Sequence, residues 1–316
     1  MKNIVVIGGG SGIFNVLKGL KDYPVMITSI VTTFDNGGST GILRDEFGTL
    51  PPGDIRRSLV ALAPDTENSI LRDLFSFRFP EKSSLRGHSF GNLLLQALTS
   101  ISGNEVGAIK MASTILNIKH KILPISIDNA QLCAELDNKS IIKGETNIDI
   151  PKHDGSLRIK RLFLEPNAII YREAYDAIVN ADLVVIGPGD LYTSILPNTL
   201  VKGFSEAIKK TDAKIVYVLN IMTKWGETNG FSASNFTKVL LSYIKRDKID
   251  YVICNNSVIK PMLIKKYKKE KSIPVPIDLK ELKRYTKKII SEDVILQKEI
   301  VRHDAKKISR LLMKIV

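Results

Sequence analysis

The 316-residue chain carries 46 Lys+Arg against 33 Asp+Glu, a formal net charge of +13, with 44% hydrophobic residues. That apolar fraction supports one large α/β domain, alone or with an insert, while no apolar run nears the roughly 20 residues of a membrane-spanning helix. Cys133 and Cys254 are too few and too far apart for a disulfide framework or a zinc site, and read as small buried hydrophobes.

Met1-Lys2-Asn3 leads straight into an apolar strand pattern over 4–7, with no basic n-region before an h-region, so a cytoplasmic protein is expected. That strand runs into Gly8-Gly9-Gly10-Ser11-Gly12, and a helical pattern follows over 12–21. A second strand, 25–33, runs into Asp35-Asn36-Gly37-Gly38-Ser39. Glycine loops let backbone N–H groups close on a phosphate with no Cβ in the way. The first helix would present its positive end to the same anion. Gly9, Gly10, Ser11 and Gly12 are therefore candidate phosphate contacts. The G-x-G-x-x-G dinucleotide fingerprint is not met, because Ile13 stands where its last glycine belongs. This weakens a NAD-dependent oxidoreductase, although Asp35 could bind a ribose hydroxyl.

Asp35, Asn36, Gly37, Gly38 and Ser39 bring a carboxylate, an amide and a hydroxyl to one strand end. Asp35 could hold Mg²⁺; the competing reading is a plain Asx turn. Arg44, just downstream, is a candidate phosphate partner. Helices are expected over 54–63, 67–77, 90–101 and 105–116. Asp54 reads as the N-cap of the first, with a ligand role for Asp54 or Arg56 left open. His88 and Asn92 lie at the start of helix 90–101, where His88 could donate to a phosphate or exchange a proton. Four histidines without acid–histidine–nucleophile spacing speak against a hydrolase triad.

Residues 121–166 break the rhythm. Short strands over 122–127, 131–136, 140–142 and 157–164, with turns at Asp137-Asn138-Lys139 and His153-Asp154-Gly155, predict an antiparallel β insert. Alternation resumes over 167–272, with strands at 183–187, 214–219 and 250–254 and helices at 172–180, 200–210, 233–244 and 257–269. Together with 1–120 this predicts an α/β fold, a Rossmann-like, doubly wound and mostly parallel sheet that binds ligands beyond the carboxyl ends of its strands. Gly187, Gly189, Asp190 and Thr193 follow one such strand, and Asn220 and Thr223 the next. From 273 to 316 the chain reads as a basic helical segment packed on the core. Residues 260–316 hold 17 Lys+Arg and 7 Asp+Glu, a net +10, which leaves +3 for the first 259. Few aromatics are interleaved and no RNP-like or zinc-finger pattern occurs, so solvated helix faces are expected rather than nucleic-acid binding.

Taken in order, G-G-G-S-G, F-D-N-G-G-S-T-G-I-L-R-D-E, L-P-P-G-D-I-R, G-H-S-F-G-N-L-L-L, G-P-G-D-L-Y-T-S-I-L-P-N and N-I-M-T-K-W-G-E-T-N-G resemble the YvcK-like gluconeogenesis factors. These belong to the superfamily of CofD, the phospholactate transferase of deazaflavin cofactor synthesis. The resemblance runs from Ile4 to Arg302-His303-Asp304. It implies a Rossmann-like core that binds a nucleotide sugar, notably UDP-N-acetylglucosamine, without a required cofactor. It implies a regulatory role in gluconeogenic growth and cell-wall morphogenesis, without established catalysis. It also implies that a C-terminal arginine and tyrosine touch the ligand, matched here by Arg302 and Tyr267. The transferase branch would use Mg²⁺, held at Asp35, and a guanosine-linked phospholactate. The resemblance leaves room for a protein partner and a homodimer. Two departures stand out: Asp190 replaces the usual serine of G-P-G-S-L-Y-T-S, and Lys224-Trp225 replaces a polar–proline pair. A carboxylate beside a diphosphate is repulsive unless a metal or an arginine intervenes.

Overall fold

The computed structural model describes residues 1–9, 11–65 and 70–316. Gly10 and the first residues of the helix expected over 67–77 lie outside the described residues. The twelve strands of the described chain are β1 (Lys2–Gly8), β2 (Val25–Val31), β3 (Lys121–Pro124), β4 (Gln131–Leu136), β5 (Ile141–Lys143), β6 (Ile159–Glu165), β7 (Leu183–Ile186), β8 (Lys214–Val218), β9 (Ile249–Asn255), β10 (Thr286–Glu292), β11 (Ile295–Gln297) and β12 (Val301–His303). Seven of them form one sheet in the order β10-β9-β8-β7-β1-β2-β3. Every pairing in that sheet is parallel.

The central strands are apolar on both faces because both faces are covered. Successive side chains alternate sides, and the sheet sorts them into two layers. Val5 and Ile7 of β1, Val184 and Ile186 of β7, and Ile215 and Tyr217 of β8 enter one core cluster. Ile4 and Val6, Leu183 and Val185, and Val216 and Val218 enter the other. Helices Gly12–Leu20, Pro52–Leu62 and Ala305–Met313 cover the second layer. Helices Phe204–Lys210 and Ala233–Ile244 cover the first, together with the antiparallel sheet β5-β4-β6. Leu132, Ala134, Leu162 and Leu164 of that small sheet share the core of Val5 and Ile7. The insert therefore closes the core rather than standing apart from it.

Two expectations are corrected. The strand expected to open the insert at 122–127 lies in the main sheet, where β3 pairs parallel with β2. A four-residue apolar strand cannot announce its sheet, because its partners lie far away in sequence. The segment 273–316, expected to be helical, holds as much strand as helix: β10 extends the main sheet at its edge, and β11 and β12 form a hairpin. Only Leu279–Leu282 and Ala305–Met313 are α-helical there. Lysines on an edge strand, here Lys287 and Lys288, blunt unwanted pairing and read in sequence like the wet face of a helix. The helix Gly38–Phe47 was hidden for a related reason, since its opening residues spell a glycine loop.

Tyr217 is fully buried in the centre of the sheet, and its hydroxyl finds no partner among the described residues. An unpaired buried hydroxyl carries its full desolvation cost. Tyr217→Phe is therefore expected to stabilise the fold by about 1 kcal/mol in denaturant unfolding. A clear loss of stability would show that the hydroxyl makes a bond the described residues do not supply.

Candidate functional site

Strand β1 pairs with β2 on one edge and β7 on the other. The chain leaves β1 towards β2 and returns much later to β7, so the loops beyond β1 and β7 diverge at a topological switch point. A cavity of 620 Å³ opens there. Gly9, Ser11, Gly12 and Asn15 line it from the β1 side, and Pro188, Gly189, Asp190 and Ser194 from the β7 side. The loop after β8 adds Asn220, Ile221, Met222, Thr223, Lys224 and Trp225, and the insert adds Asp149, Ile150 and Pro151. Tyr267, Glu270, Ser272, Val301, Arg302 and His303 close it from the C-terminal side.

The two glycine loops meet backbone to backbone. A Cβ on Gly12 would lie 2.1 Å from the Pro188 carbonyl oxygen, so any side chain there would force β1 and β7 apart. A Cβ on Gly9 would lie 2.3 Å from Oδ2 of Asp54, which packs directly beneath the loop. Helix Gly12–Leu20 starts at the cavity wall. Its N-cap Ser11 makes no side-chain cap, and no acidic residue sits in its first turn. The first amides of that helix are thus left for an anion.

On the opposite wall, Arg302 is exposed and its side chain has no partner among the described residues. The Tyr267 hydroxyl accepts the Val301 N–H at 3.1 Å and keeps its own proton for another acceptor. His303 sits against Leu219, with its Nε2 donating to that carbonyl oxygen at 3.0 Å. Burial pushes its imidazole down to about 4, so it is neutral and engaged in structure. The side-chain oxygen of Asn220 is buried without a partner among the described residues.

The most concentrated charge belongs to Lys224. Its ammonium pairs with Asp190 at 2.9 Å, with Glu227 at 3.1 Å, and with Asp149. Oxygens of these three carboxylates lie within 4.8 Å of one another, a spacing that could hold a metal ion. Burial would lower the Lys224 ammonium, but Glu227, Asp190 and Asp149 together raise it above the usual lysine range. Glu227 is buried and accepts hydrogen bonds from the Tyr192 N–H (3.1 Å) and the Thr193 hydroxyl (3.2 Å). Burial raises its carboxyl to about 7 against the pull of Lys224. The two departures in the sequence thus meet in space: Asp190 is neutralised by Lys224, a lysine where a metal or an arginine was expected.

Of the expected contacts, the cavity wall includes Gly9, Ser11, Gly12, Gly189, Asp190, Asn220, Thr223, Tyr267 and Arg302. Others are placed elsewhere. Asp35 accepts the Gly37 N–H at 2.8 Å, the Asx turn of the competing reading. Burial raises its carboxyl, with Asp54 adding to the effect. Glu145, close by, is raised to about 9 by burial and by the charges of Asp35 and Asp149. Asn36 accepts the Thr146 N–H at 3.0 Å and ties the insert to the core. Gly38 lies at a positive φ of 47° as helix Gly38–Phe47 begins. Ser39 bonds Nδ1 of His88 at 2.9 Å and the Asn92 amide at 3.3 Å. Asn92 in turn accepts from the buried Arg56 at 3.0 Å. Arg44 donates to Asn129 and to the Ala130 carbonyl, both at 2.6 Å, and is spent on the β3–β4 connection. Thr193 is buried against Glu227, and Gly187 carries a φ of 72° below the cavity.

Lys224, Trp225, Asp149, Glu227 and Asn15 were not among the expected contacts. Lys224, Trp225 and Glu227 sat inside a motif already singled out. Asp149 carries no local signal, because it reaches the site only through the packing of the insert.

A family profile described as 2-phospho-L-lactate transferase CofD matches residues 4–295. The chain belongs to the CofD family. Among its relatives, the gluconeogenesis factor of Halalkalibacterium halodurans is 42% identical over 99% of this chain and 96% of its own length. The gluconeogenesis factor of Bacillus subtilis is 41% identical over 99% of this chain and 98% of its own length. The crystal structure of a UPF0052-family protein from Bacillus halodurans superposes with a TM-score of 0.93 at 42% identity, covering 99% of this chain and 100% of that one. In this CofD-family chain no helix among the described residues is long and apolar enough to cross a membrane.

Two measurements probe the charge centre. Lys224→Met strands three carboxylates and is expected to cost about 2–4 kcal/mol, below the fully buried range because Lys224 keeps some solvent contact. An unchanged denaturation midpoint would mean that the three acids need no cation. Glu227 and Glu145 set the pH dependence. Folded, Glu227 holds its proton up to about 7, whereas a free glutamate holds it only up to 4.5; Glu145 does the same up to about 9. The contribution of each glutamate is full below about pH 4.5 and falls as pH rises, while His303, pushed down to about 4 from 6.5, opposes it up to about pH 6.5. The urea midpoint is therefore expected to decline from about pH 6.5 to about pH 8.5, and Glu227→Gln to flatten the lower part of that decline. A flat profile over that range in the parent chain would refute both assignments.

Proposed function

We propose that this protein is a cytoplasmic, non-catalytic receptor for a nucleotide sugar of the UDP-N-acetylglucosamine type, acting as a regulator of gluconeogenic growth and cell shape. The observation that carries this reading is the cavity at the switch point, where groups suited to each part of such a ligand converge. The uncapped start of helix Gly12–Leu20 and the unpaired Arg302 suit a diphosphate. Ile221, Met222, Trp225 and Tyr267 offer apolar and aromatic surface for a base. Lys224 pairs with Asp190 at 2.9 Å and supplies a cation beside it, which supports binding without a divalent cofactor. His303 is occupied by Leu219, and no nucleophile–base pair stands at the wall among the described residues. The names of the relatives support the metabolic role.

A second reading, an Mg²⁺-dependent transferase acting on a nucleotide-linked donor, is favoured by one observation. Asp35, Asp54 and Glu145 gather beneath the Gly9 loop, where Asp35 and Asp54 could hold an ion beside a bound phosphate. In that case the metal would activate a donor phosphate held by the same loop.

Trp225 is the only tryptophan in the chain and lines the cavity, with Lys271 Nζ 4.2 Å from its ring centroid. Its fluorescence is expected to change on titration with UDP-N-acetylglucosamine, equally in EDTA and in Mg²⁺, with the sugar nucleotide recovered intact. Arg302→Ala should weaken binding roughly 10- to 100-fold, the size of one charge-assisted hydrogen bond. Binding only with Mg²⁺, followed by product and abolished by Asp35→Asn, would replace the receptor by the transferase. An unchanged dissociation constant in Arg302→Ala would place the C-terminal arginine outside the site.

A further inference from the structure

The basic charge of the C-terminal region is not evenly spread. Residues 260–271 hold six lysines and one acidic residue, Glu270. Five of those lysines fall within or next to helix Pro261–Lys269, and all six are exposed. Lys266 touches the Glu299 carbonyl and Lys271 lies over Trp225. Lys260, Lys265, Lys268 and Lys269 have no side-chain partner among the described residues. Some lysines elsewhere on the surface are paired, as Lys143 is with Glu165 and Lys307 with Asp293, so what sets this segment apart is the density of its ammonium groups, six in twelve residues.

The helix is two-sided. At about 100° per residue, Leu263, Tyr267 and Ile264 face the body, where they join the core cluster. Met262 sits at the centre of the outer arc, with Lys265 and Lys269 on one flank and Lys266 on the other. Met262 is 75% exposed, and Val258, which leads into the helix, is 84% exposed. Among the described large apolar residues only Met1 is as bare as Val258 and Met262, and these two lie together among the lysines. Interfacial helices show this pattern, because the apolar tips enter the acyl boundary while the ammonium groups stay with the phosphates.

We propose that the face formed by Val258 and helix Pro261–Lys269 docks on an anionic lipid surface. A bilayer rich in acidic headgroups satisfies both halves of the pattern at once. Each lysine gains from the negative surface potential, and Met262 and Val258 leave water. A nucleic-acid backbone would meet the lysines but give nothing to Met262 and Val258, and the arc presents no aromatic ring for base stacking. Tyr267 of the same helix and its C-cap Glu270 line the cavity, so docking would hold the mouth of the proposed ligand site beside the headgroups.

The test is co-sedimentation of the full chain with vesicles of phosphatidylcholine alone or mixed with phosphatidylglycerol. The protein should partition into the mixed vesicles only, and the partition should fall at least about tenfold as salt rises from about 0.1 M to about 0.5 M, where screening shortens sharply. The triple variant Lys265→Glu, Lys268→Glu, Lys269→Glu should lose it. Met262→Ser, with charge unchanged, should weaken it several-fold. None of these four residues lines the cavity, so melting temperature and Trp225-detected ligand binding should be unchanged and report a folded chain. Equal recovery with both vesicle types, no recovery with either, or full retention by the triple variant would overturn the proposal. Loss of the vesicle-bound protein to a short duplex DNA, with no effect of Met262→Ser, would reassign the face to nucleic acid.

Discussion

Strand β1 has a parallel neighbour on each edge, and the chain must reach them in opposite directions. Most of the molecule follows from that constraint. Parallel neighbours need crossovers, and crossovers place helices on both faces of the sheet. Two covered faces demand strands that are apolar throughout, which is why Ile4 to Ile7 show no alternation of polarity. The opposite departures also leave a crevice beyond the carboxyl ends of β1 and β7. Only a residue without a Cβ can then fill the contact between Gly12 and the Pro188 carbonyl. The glycine loops are first a packing requirement of the switch point. Their capacity to receive an anion comes with the backbone they expose.

Charge in the crevice is arranged in two separate zones. Near the start of helix Gly12–Leu20 and Arg302 the wall offers uncapped amides and a guanidinium with no side-chain partner among the described residues. Near β7 and the insert, three carboxylates surround one ammonium, so that zone stays net negative whichever state Glu227 holds. An anionic group of a ligand is steered to the first zone and away from the second. Carboxylates with free lone pairs suit hydroxyl donors, so Asp149 and Asp190 favour the uncharged, hydroxyl-rich end of a ligand over its phosphates. Replacing a serine by Asp190 would be costly in isolation. With Lys224 2.9 Å away it becomes half of an ion pair.

The parallel core was legible because buried strands and amphipathic helices alternate, and each leaves a local periodicity. The loops after β1, β7 and β8 were legible for a related reason: glycine, asparagine and threonine directly after an apolar run mark a strand end. Arg302 and Tyr267 came from resemblance alone, since nothing local sets Arg302 apart from the other basic residues of that region. What stayed hidden depends on distant pairing. Strand β3 could not declare its sheet, and β10 carries its lysines on an edge where they mimic a wet helix. Arg44, His88 and Asn92 have the right chemistry for phosphate, but the fold spends them on Asn129, Ser39 and Arg56. Sequence shows which groups can bind an anion and not which of them are already engaged.

Lys224 also determines how the site can communicate. Its three partners come from different parts of the fold: Asp149 from the insert, Asp190 from the loop after β7 and Glu227 from the loop after β8. The insert has further polar ties to the core, from the Thr193 hydroxyl to Asp149 at 3.3 Å, from the Asn229 amide to the Gly155 carbonyl at 2.6 Å and from the Thr146 N–H to Asn36, and an apolar face shared with it. The apolar face is indifferent to what enters the cavity, whereas the ion pairs are not. A ligand that draws the Lys224 ammonium or hydrogen-bonds Asp149 changes the strength of the link between insert and core. These pairs place Lys224 at the junction of the insert with the loops after β7 and β8.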